Sequence, residues 1–265
     1  MKFDITGGIY TYIMLEYCHY DNPFISHLHC HRPSSPRWNA NSAARLHELG
    51  SNDDPSYRAL SHLILQRLTG LLPNGHGSVL DVGCGIGFLS SHIASLGFTV
   101  VGIDPADQGI EIASATHTQP HLQFEATSLE DYASNHPNAS FDALVANMVL
   151  HCVPNHYSFF AAAARLLAAD GAFIATLPNP DTYLPGRSDV DVSDYNMQTS
   201  YVFEIPFRIH GKDAHPERVL FFHRPMKEYI AAATEAGLAV SNLSVPEHIG
   251  VGRAKRISVL ILTRA

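Results

Sequence analysis

The stretch VLDVGCGIGFL at residues 79–89 joins an apolar run to a glycine-rich turn and then to a helical pattern. Residues 79–82 are predicted to form a buried parallel strand, because the run is short, apolar and rich in valine. Glycine at 83, 85 and 87 lets the backbone turn tightly and approach a ligand closely. From Phe88 onward the apolar residues take helical spacing, and Gly97 suits a C-terminal cap. The free N–H groups at this helix start would face a molecule bound over the turn.

The glycine spacing separates two kinds of nucleotide-binding turn. The dinucleotide fingerprint G-x-G-x-x-G needs a third glycine at the position that Phe88 occupies. The chain instead has Asp81 followed by glycine at 83, 85 and 87, and this D-x-G-x-G-x-G pattern resembles motif I of the class I S-adenosylmethionine (SAM) methyltransferases. The resemblance implies SAM as the cofactor. A nicotinamide-dependent oxidoreductase, and a glycine turn that holds no ligand, remain the alternatives.

Strand and helix patterns alternate from residue 78 onward. Predicted strands cover 78–82, 98–103, 121–124, 141–146 and 172–177, and predicted helices cover 87–96, 107–115 and 159–169. Such alternation builds a doubly wound parallel sheet that binds ligands beyond the carboxyl ends of its strands. A helix over 225–236 and strands over 238–244 and 256–263 resemble the family's antiparallel closing hairpin. We therefore expect a Rossmann-like α/β fold with a seven-stranded sheet and helices on both faces.

The domain organisation follows from breaks in this rhythm. Residues 1–53 are predicted to be an irregular or partly helical arm and linker that helps to cover the pocket. The methyltransferase-like domain is predicted to cover 54–265, starting with Asp54 as an N-cap and Pro55 at the first helical position. Residues 178–222, rich in proline and aromatic residues, are predicted to be an insertion at the acceptor site, with extended pieces around 201–209 and 219–222.

Chain length and net charge limit the kinds of molecule that the protein is expected to bind. The 265 residues fit one large domain or a domain with an appendage, and 46% hydrophobic content is ample for a core. A net charge of −8 without a long basic run argues against nucleic acid and against anionic membranes. No apolar run reaches the roughly 18 residues of a membrane span, and the N-terminus lacks a signal-peptide pattern. We expect a cytoplasmic monomer or homodimer that acts on a small molecule.

Cysteine and histidine usage does not indicate a disulfide or metal framework. The four cysteines are too few for a disulfide scaffold. His27, His29, Cys30 and His31 are spaced too closely for a common tetrahedral zinc site, so we expect no metal.

The resemblance extends over about 54–263, and residues 78–180 are most similar to the ubiquinone-biosynthesis type and related small-molecule methyltransferases. It implies that Asp104 binds the ribose hydroxyls, that residues 127–129 line the adenine edge, and that Asn147 and Met148 lie beside the methionine portion. The full set of implied cofactor-binding residues is Asp81, Gly83, Cys84, Gly85, Gly87, Asp104, Pro105, Thr127, Ser128, Leu129, Asn147 and Met148. By residue type alone, Asp104 could instead cap the next helix, and Asp81 could organise the N–H groups of the turn.

Methyl transfer from a sulfonium is an in-line displacement, so the protein must align the reacting atoms and exclude water. His151 and His223 are the candidate general bases, although an acceptor already ionised at neutral pH needs none. Arg224 is a candidate for binding an acidic substrate group.

The leading hypothesis is methyl transfer to an O or N nucleophile of a small molecule. A protein of this fold that binds SAM but catalyses another reaction, or only binds, is the main alternative, and a protein substrate is a further one.

Overall fold

A computed structural model of the chain describes residues 36–51, 54–207, 218–246 and 256–265. The strands are β1 (Ser78–Val82), β2 (Thr99–Asp104), β3 (Leu122–Ala126), β4 (Phe141–Asn147), β5 (Leu167–Pro178), β6 (Tyr201–Pro206), β7 (Arg218–His223), β8 (Leu238–Ser244) and β9 (Ile257–Arg264). The α-helices are α1 (Pro36–Gly50), α2 (Pro55–Leu71), α3 (Phe88–Ser95), α4 (Asp107–Thr116), α5 (Leu129–Asn135), α6 (His156–Leu166) and α7 (Met226–Glu235). A short 3-10 helix covers Leu150–Cys152.

Seven strands form one sheet in the order β3-β2-β1-β4-β5-β9-β8. The strands from β3 to β5 pair in parallel, whereas β9 runs antiparallel to both β5 and β8. The predicted doubly wound sheet with an antiparallel closing hairpin is therefore confirmed. The chain order reverses at β1, which lies between β2 and β4, and such switch points open a crevice at the carboxyl ends of the strands.

The two faces of the sheet carry separate hydrophobic cores, because successive side chains of a strand point to opposite faces. Along β4, Leu144 and Ala146 belong to the core that α5, α6 and α7 cover. Ala143 and Val145 belong to the core that α2 and α3 cover on the other face. Helices thus lie on both faces, as predicted, and both cores hold β1 and β4 rigidly beneath the switch point.

The structure differs from the prediction in three elements. The helix predicted over 159–169 ends at Leu166, because Leu167 pairs with Phe141 and already belongs to the strand predicted to start at 172. Helix α5 was not predicted. It begins at an N-cap serine, Ser128, whose hydroxyl accepts the Asp131 N–H at 3.1 Å.

The third difference concerns helix α1, a regular helix in the segment predicted to be an irregular or partly helical arm and linker. A compact unit begins at Arg37, and Asn39 bonds the carboxylate of Asp107 at the start of α4 at 2.5 Å. The helix therefore packs with the domain rather than preceding it. The predictions for residues 1–35, including those for His27, His29, Cys30 and His31, concern a segment outside the described residues.

Strands β6 and β7 form a separate two-stranded antiparallel sheet within the predicted insertion. Its core contains Leu184, Phe203, Ile205, Val219 and Phe221. Helix α1 contacts this hairpin, since Arg37 bonds Glu204 at 2.9 Å and the rings of Trp38 and Phe207 meet edge-on with centroids 5.1 Å apart. None of the helices in the described ranges has the length and apolar character needed to cross a bilayer.

Candidate functional site

The glycine turn after β1 has one glycine that faces open space. Gly83, Gly85 and Gly87 all have positive φ, at 68°, 55° and 80°. A Cβ on Gly83 would lie 2.5 Å from Val149, and one on Gly87 would lie 2.6 Å from Phe124. A Cβ on Gly85 would meet no atom within 4 Å. Neighbouring side chains thus leave no room for a Cβ at Gly83 or Gly87. At Gly85 the backbone borders a space that no described residue fills.

Hydrogen bonds tie the turn to the end of β2. The carbonyl oxygen of Ile103 accepts the Gly83 N–H at 2.7 Å. The Asp104 carboxylate accepts the Gly85 N–H at 2.9 Å through Oδ2 and the Ala106 N–H at 2.8 Å through Oδ1. The carboxylate is therefore fixed between the turn and the start of α4, at the carboxyl edge of the sheet.

Asp104 keeps the capacity to bind a ligand. Its side chain is half-buried, and burial raises its pKa while the Ala106 and Gly85 N–H groups oppose that rise. Each carboxylate oxygen has two lone pairs, so one acceptor position remains on each after the backbone bonds. Two remaining acceptors side by side match a vicinal diol. Pro105, which follows, is exposed.

Asp81 lies beneath the turn rather than at its surface. Its side chain is 1% exposed, and Oδ2 accepts the Ser90 hydroxyl at 2.6 Å. Burial raises its pKa to about 7; the charge of Asp104 adds to this effect and the Ser90 hydrogen bonds reduce it. Asp81 therefore secures the first turns of α3, and its predicted role toward the cofactor stays a prediction.

Cys84 lies in the turn with a half-buried side chain. Its N–H donates to Ile103 at 3.0 Å, and burial raises the pKa of its thiol well above the usual range. The thiol is protonated at neutral pH and acts as a small apolar group.

The three residues predicted at the adenine edge lie next to Asp104, and most of their side chains are already engaged. The Thr127 N–H donates to the Asp104 carbonyl at 3.1 Å. Ser128 caps α5, and the side chain of Leu129 is buried in the core. Thr127, whose hydroxyl contacts only the Ser128 carbonyl at 3.3 Å, is the one with a side chain available at this edge.

Asn147 and Met148 end β4 in a constrained conformation. Met148 has φ 61°, the only positive φ on a non-glycine residue in the described ranges. The Met148 N–H donates to the carbonyl of Thr176 at 2.9 Å, and the Thr176 hydroxyl donates to Oδ1 of Asn147 at 2.7 Å. Backbone conformations of this type concentrate at binding sites, because surrounding contacts must enforce them.

His151 follows in the 3-10 helix after β4. Its ring lies 5.0 Å from that of Phe221 in β7, so the predicted insertion reaches this edge of the sheet. Burial, and then the charge of Arg224, lowers its pKa to about 3, so the ring is neutral at physiological pH. Its Nδ1 is buried with no hydrogen-bond partner among the described residues.

His223 has a different environment. Its side chain is 2% exposed, and its Nε2 lies 2.9 Å from the carbonyl oxygen of Met197, an arrangement in which the ring donates. Burial lowers its pKa, although the Met197 bond opposes this. The contact anchors the loop before β6, so the geometry favours a positioning role over the predicted role of base.

Sequence reasoning missed the residues that hold the site in shape. Ser90, Phe124, Val149 and Thr176 each contact a predicted site residue. Of these four, only Thr176 could have been suspected from the sequence, because it is a polar residue inside an apolar strand. In the structure it is 0% exposed and in register with Asn147. In the described part of the chain, no three His, Cys, Asp or Glu residues group as metal ligands do.

Comparison with known proteins agrees with this geometry. A family model described as a methyltransferase domain matches residues 80–175, from β1 into β5. The predicted resemblance to methyltransferases is confirmed over these residues. The chain is 39% identical to the ubiquinone biosynthesis O-methyltransferase of Thiobacillus denitrificans (strain ATCC 25259 / T1) over 110 residues, which are 40% of this chain and 47% of that protein. It is 37% identical to the enzyme of the same name from Albidiferax ferrireducens (strain ATCC BAA-621 / DSM 15236 / T118) over 122 residues, 44% of this chain and 48% of that protein.

The chain thus spans about half the length of the curated relatives that it matches. Solved structures share the fold over most of the chain. A putative SAM-dependent methyltransferase from Listeria monocytogenes aligns with a TM-score of 0.60 at 20% identity, covering 76% of this chain and 97% of that one. The 1,6-didemethyltoxoflavin-N1-methyltransferase of Burkholderia thailandensis, solved with its substrate and S-adenosylhomocysteine, aligns with a TM-score of 0.57 at 16% identity, covering 87% and 88%.

The two glycines Gly83 and Gly85 make a matched test of the turn. Gly83→Ala is expected to reduce the free energy of unfolding by roughly 2–5 kcal/mol, since backbone strain adds to overpacking against Val149. Gly85→Ala carries the strain alone and is expected to cost about 1–2 kcal/mol. Urea denaturation of the two variants measures both values. Equal losses would contradict the packing assigned to Gly83.

Proposed function

We propose that this protein transfers a methyl group from SAM to an oxygen or nitrogen nucleophile of a small molecule. The observation that carries the proposal is the Asp104 carboxylate, fixed by the Gly85 N–H at 2.9 Å beside a backbone face that remains open. A diol-binding carboxylate next to bare backbone at a switch point suits an adenosyl group.

The residues present fit this cofactor. Asp104 would hold the ribose hydroxyls with its remaining acceptor positions. Gly83, Cys84, Gly85 and Gly87 would bring backbone against the amino-acid portion, with Asp81 fixing the turn from beneath. Residues at neighbouring strand ends would complete the contact surface: Pro105, Thr127, Ser128 and Leu129 on the adenine side, and Asn147 and Met148 on the methionine side. When bound, the cofactor supplies an activated methyl group on a sulfonium.

The chain's own part in the reaction is alignment and exclusion of water, and alignment alone can contribute roughly 7–11 kcal/mol. The hairpin of β6 and β7 would cover the acceptor, since Phe221 already touches His151. The aromatic residues around Tyr183, Tyr195 and Phe203 would give this cover an apolar inner face. These contacts support the prediction that the segment over 178–222 serves the acceptor site.

His151 is the residue placed to handle a proton of the acceptor. Its ring is neutral, and Nδ1 has no hydrogen-bond partner among the described residues, so it is available to a polar group of the acceptor. The imidazolium form is disfavoured by burial and by Arg224. His151 is therefore better suited to orienting an acceptor than to removing a proton from a weakly acidic one.

The names of the relatives support an O-methyl acceptor, since both are O-methyltransferases. The net charge of −8 supports a small molecule over nucleic acid. A cytoplasmic location, a monomeric or homodimeric state and the pocket-covering role of the N-terminal arm stay predictions. Phe88 at the third position of the dinucleotide fingerprint disfavours the oxidoreductase alternative.

Replacing Asp104 tests the cofactor assignment. Asp104→Asn is expected to weaken S-adenosylhomocysteine binding about tenfold to a hundredfold, because charge-assisted hydrogen bonds to the ribose are lost. Glu111→Gln, an exposed change in α4, is the matched control and should bind like the parent chain. Isothermal titration calorimetry measures all three, with NADH as a ligand that should not bind. Equal affinity of the Asp104 variant and the parent would contradict the assignment.

Methyl transfer is tested with SAM and a panel of small phenols, carboxylic acids and amines. We expect S-adenosylhomocysteine to form only when a suitable acceptor is present, as read by mass spectrometry. Cofactor binding without turnover on any acceptor of the panel would instead favour the alternative, a protein of this fold that binds SAM without transferring its methyl group.

A further inference from the structure

Arg224 is a buried cation in an unusual setting. Its side chain is 6% exposed, and Nη2 donates to the carbonyl oxygen of Pro154 at 2.6 Å. The guanidinium lies over the ring of Phe222, with Cζ 5.2 Å from the centroid, and 6.0 Å from that of Tyr229. Nη1 is buried without a hydrogen-bond partner in the described ranges. Buried arginine donors are normally satisfied, so this one calls for a partner.

The Tyr229 hydroxyl interacts with the guanidinium, but Nη1 still has no hydrogen-bond partner in the described ranges. No carboxylate of the described residues forms an ion pair with it. The nearest acid in sequence, Glu228, bonds the hydroxyl of Ser200. Its titratable neighbours are His151, His156, His223 and Tyr229. Burial, and after it the charge of Arg224, lowers the pKa of His151 and His156, so both rings are neutral. The cluster therefore holds one uncompensated positive charge.

Three further buried nitrogen atoms of this cluster have no hydrogen-bond partner in the part of the chain that the structure describes. They are Nδ1 of His151 and both ring nitrogens of His156, a residue that is 8% exposed. A neutral imidazole can donate from one of its nitrogens. The cluster thus offers several unused donors around one cation, an arrangement that suits an anion.

The cluster also lies beside the proposed reaction site. His151 is three residues beyond Met148, and its ring contacts Phe221 of the hairpin proposed to cover the acceptor. Burial raises the pKa of Cys152, the residue next to His151, and the Asp104 carboxylate adds to this rise, so Cys152 lies near the edge proposed to bind the cofactor. The donors of the cluster are placed on the acceptor side of this edge.

We propose that Arg224, His151 and His156 form a binding site for a carboxylate group of the methyl acceptor. A planar carboxylate matches the fork of a guanidinium, and its single charge balances that of Arg224. The aromatic rings of Phe221 and Phe222 suit an acceptor whose remaining part is flat or apolar. This inference rests on the proposed function, and it narrows the acceptor to an acidic compound.

The test uses benzoate as the probe and benzamide as its neutral analogue, titrated into the full chain and followed by NMR of the histidine side chains. Benzoate is expected to bind, to shift the His151 and His156 signals and to raise the pKa of both rings, because the anion offsets the charge of Arg224. Benzamide should bind at least about tenfold more weakly. Equal binding of the two probes, or no binding of benzoate, would overturn the proposal.

Variants separate a binding role from a structural one. Arg224→Gln should reduce benzoate affinity about tenfold or more, and Arg224→Lys, which keeps the charge, should retain part of it. Arg165→Gln is the control: Arg165 is an exposed arginine near the end of α6, outside the proposed acceptor site, so benzoate binding should not change. Should the glutamine variant not fold, the lysine variant and the benzamide comparison decide the outcome.

The carboxylate of the cofactor is the other source of this chemistry, and calorimetry with S-adenosylhomocysteine distinguishes it. Arg224→Gln should leave S-adenosylhomocysteine affinity unchanged if the cluster serves the acceptor. A parallel loss of S-adenosylhomocysteine and benzoate binding would overturn the assignment to the acceptor. Failure of the parent chain to bind S-adenosylhomocysteine, with benzoate binding intact, would count against the proposed function and not against the anion site.

Discussion

The hydrogen bond from the Gly85 N–H to the Asp104 carboxylate is the constraint on which the candidate site depends. It joins two neighbouring strand ends, β1 through the glycine turn and β2 through its last residue. The backbone of the turn must then pass close to Asp104, which only positive φ values at 83, 85 and 87 allow. The same bond fixes the carboxylate in one orientation, so a ligand that binds it finds the acceptors already placed. Pre-ordering of this type reduces the conformational cost of binding.

The sheet supplies the rigidity that this arrangement needs. β1 and β4 lie between two hydrophobic cores, and the side chains that limit the turn, Val149 and Phe124, come from segments next to those cores. Asp81 adds a buried hydrogen bond to Ser90 that secures the helix after the turn. The turn is therefore packed at Gly83 and Gly87, and it is open at Gly85.

Much of this could be predicted from local sequence. The glycine spacing, the valine-rich strand and the Asp54-Pro55 helix start are short-range signals, and the structure confirms the elements that they predicted. The bounds of helix α1 were not predicted, because the segment was described only as an irregular or partly helical arm, from its proline and aromatic content. The boundary at 166/167 was missed because pairing of Leu167 with Phe141 is a long-range contact that outweighs a good helical composition. Long-range contacts also determine the roles of His223 and Arg224. His223 bonds a loop carbonyl, and Arg224 has no counter-charge among the described residues. Neither fact can be predicted from the adjacent residues in the sequence.

The most direct test of this account is a crystal structure of the chain with S-adenosylhomocysteine. We predict that the ribose hydroxyls donate to the Asp104 carboxylate, while that carboxylate still accepts the Gly85 N–H, and that the ligand passes over Gly85 on its open side. A ligand bound at another edge of the sheet, or a ribose turned away from Asp104, would contradict the account.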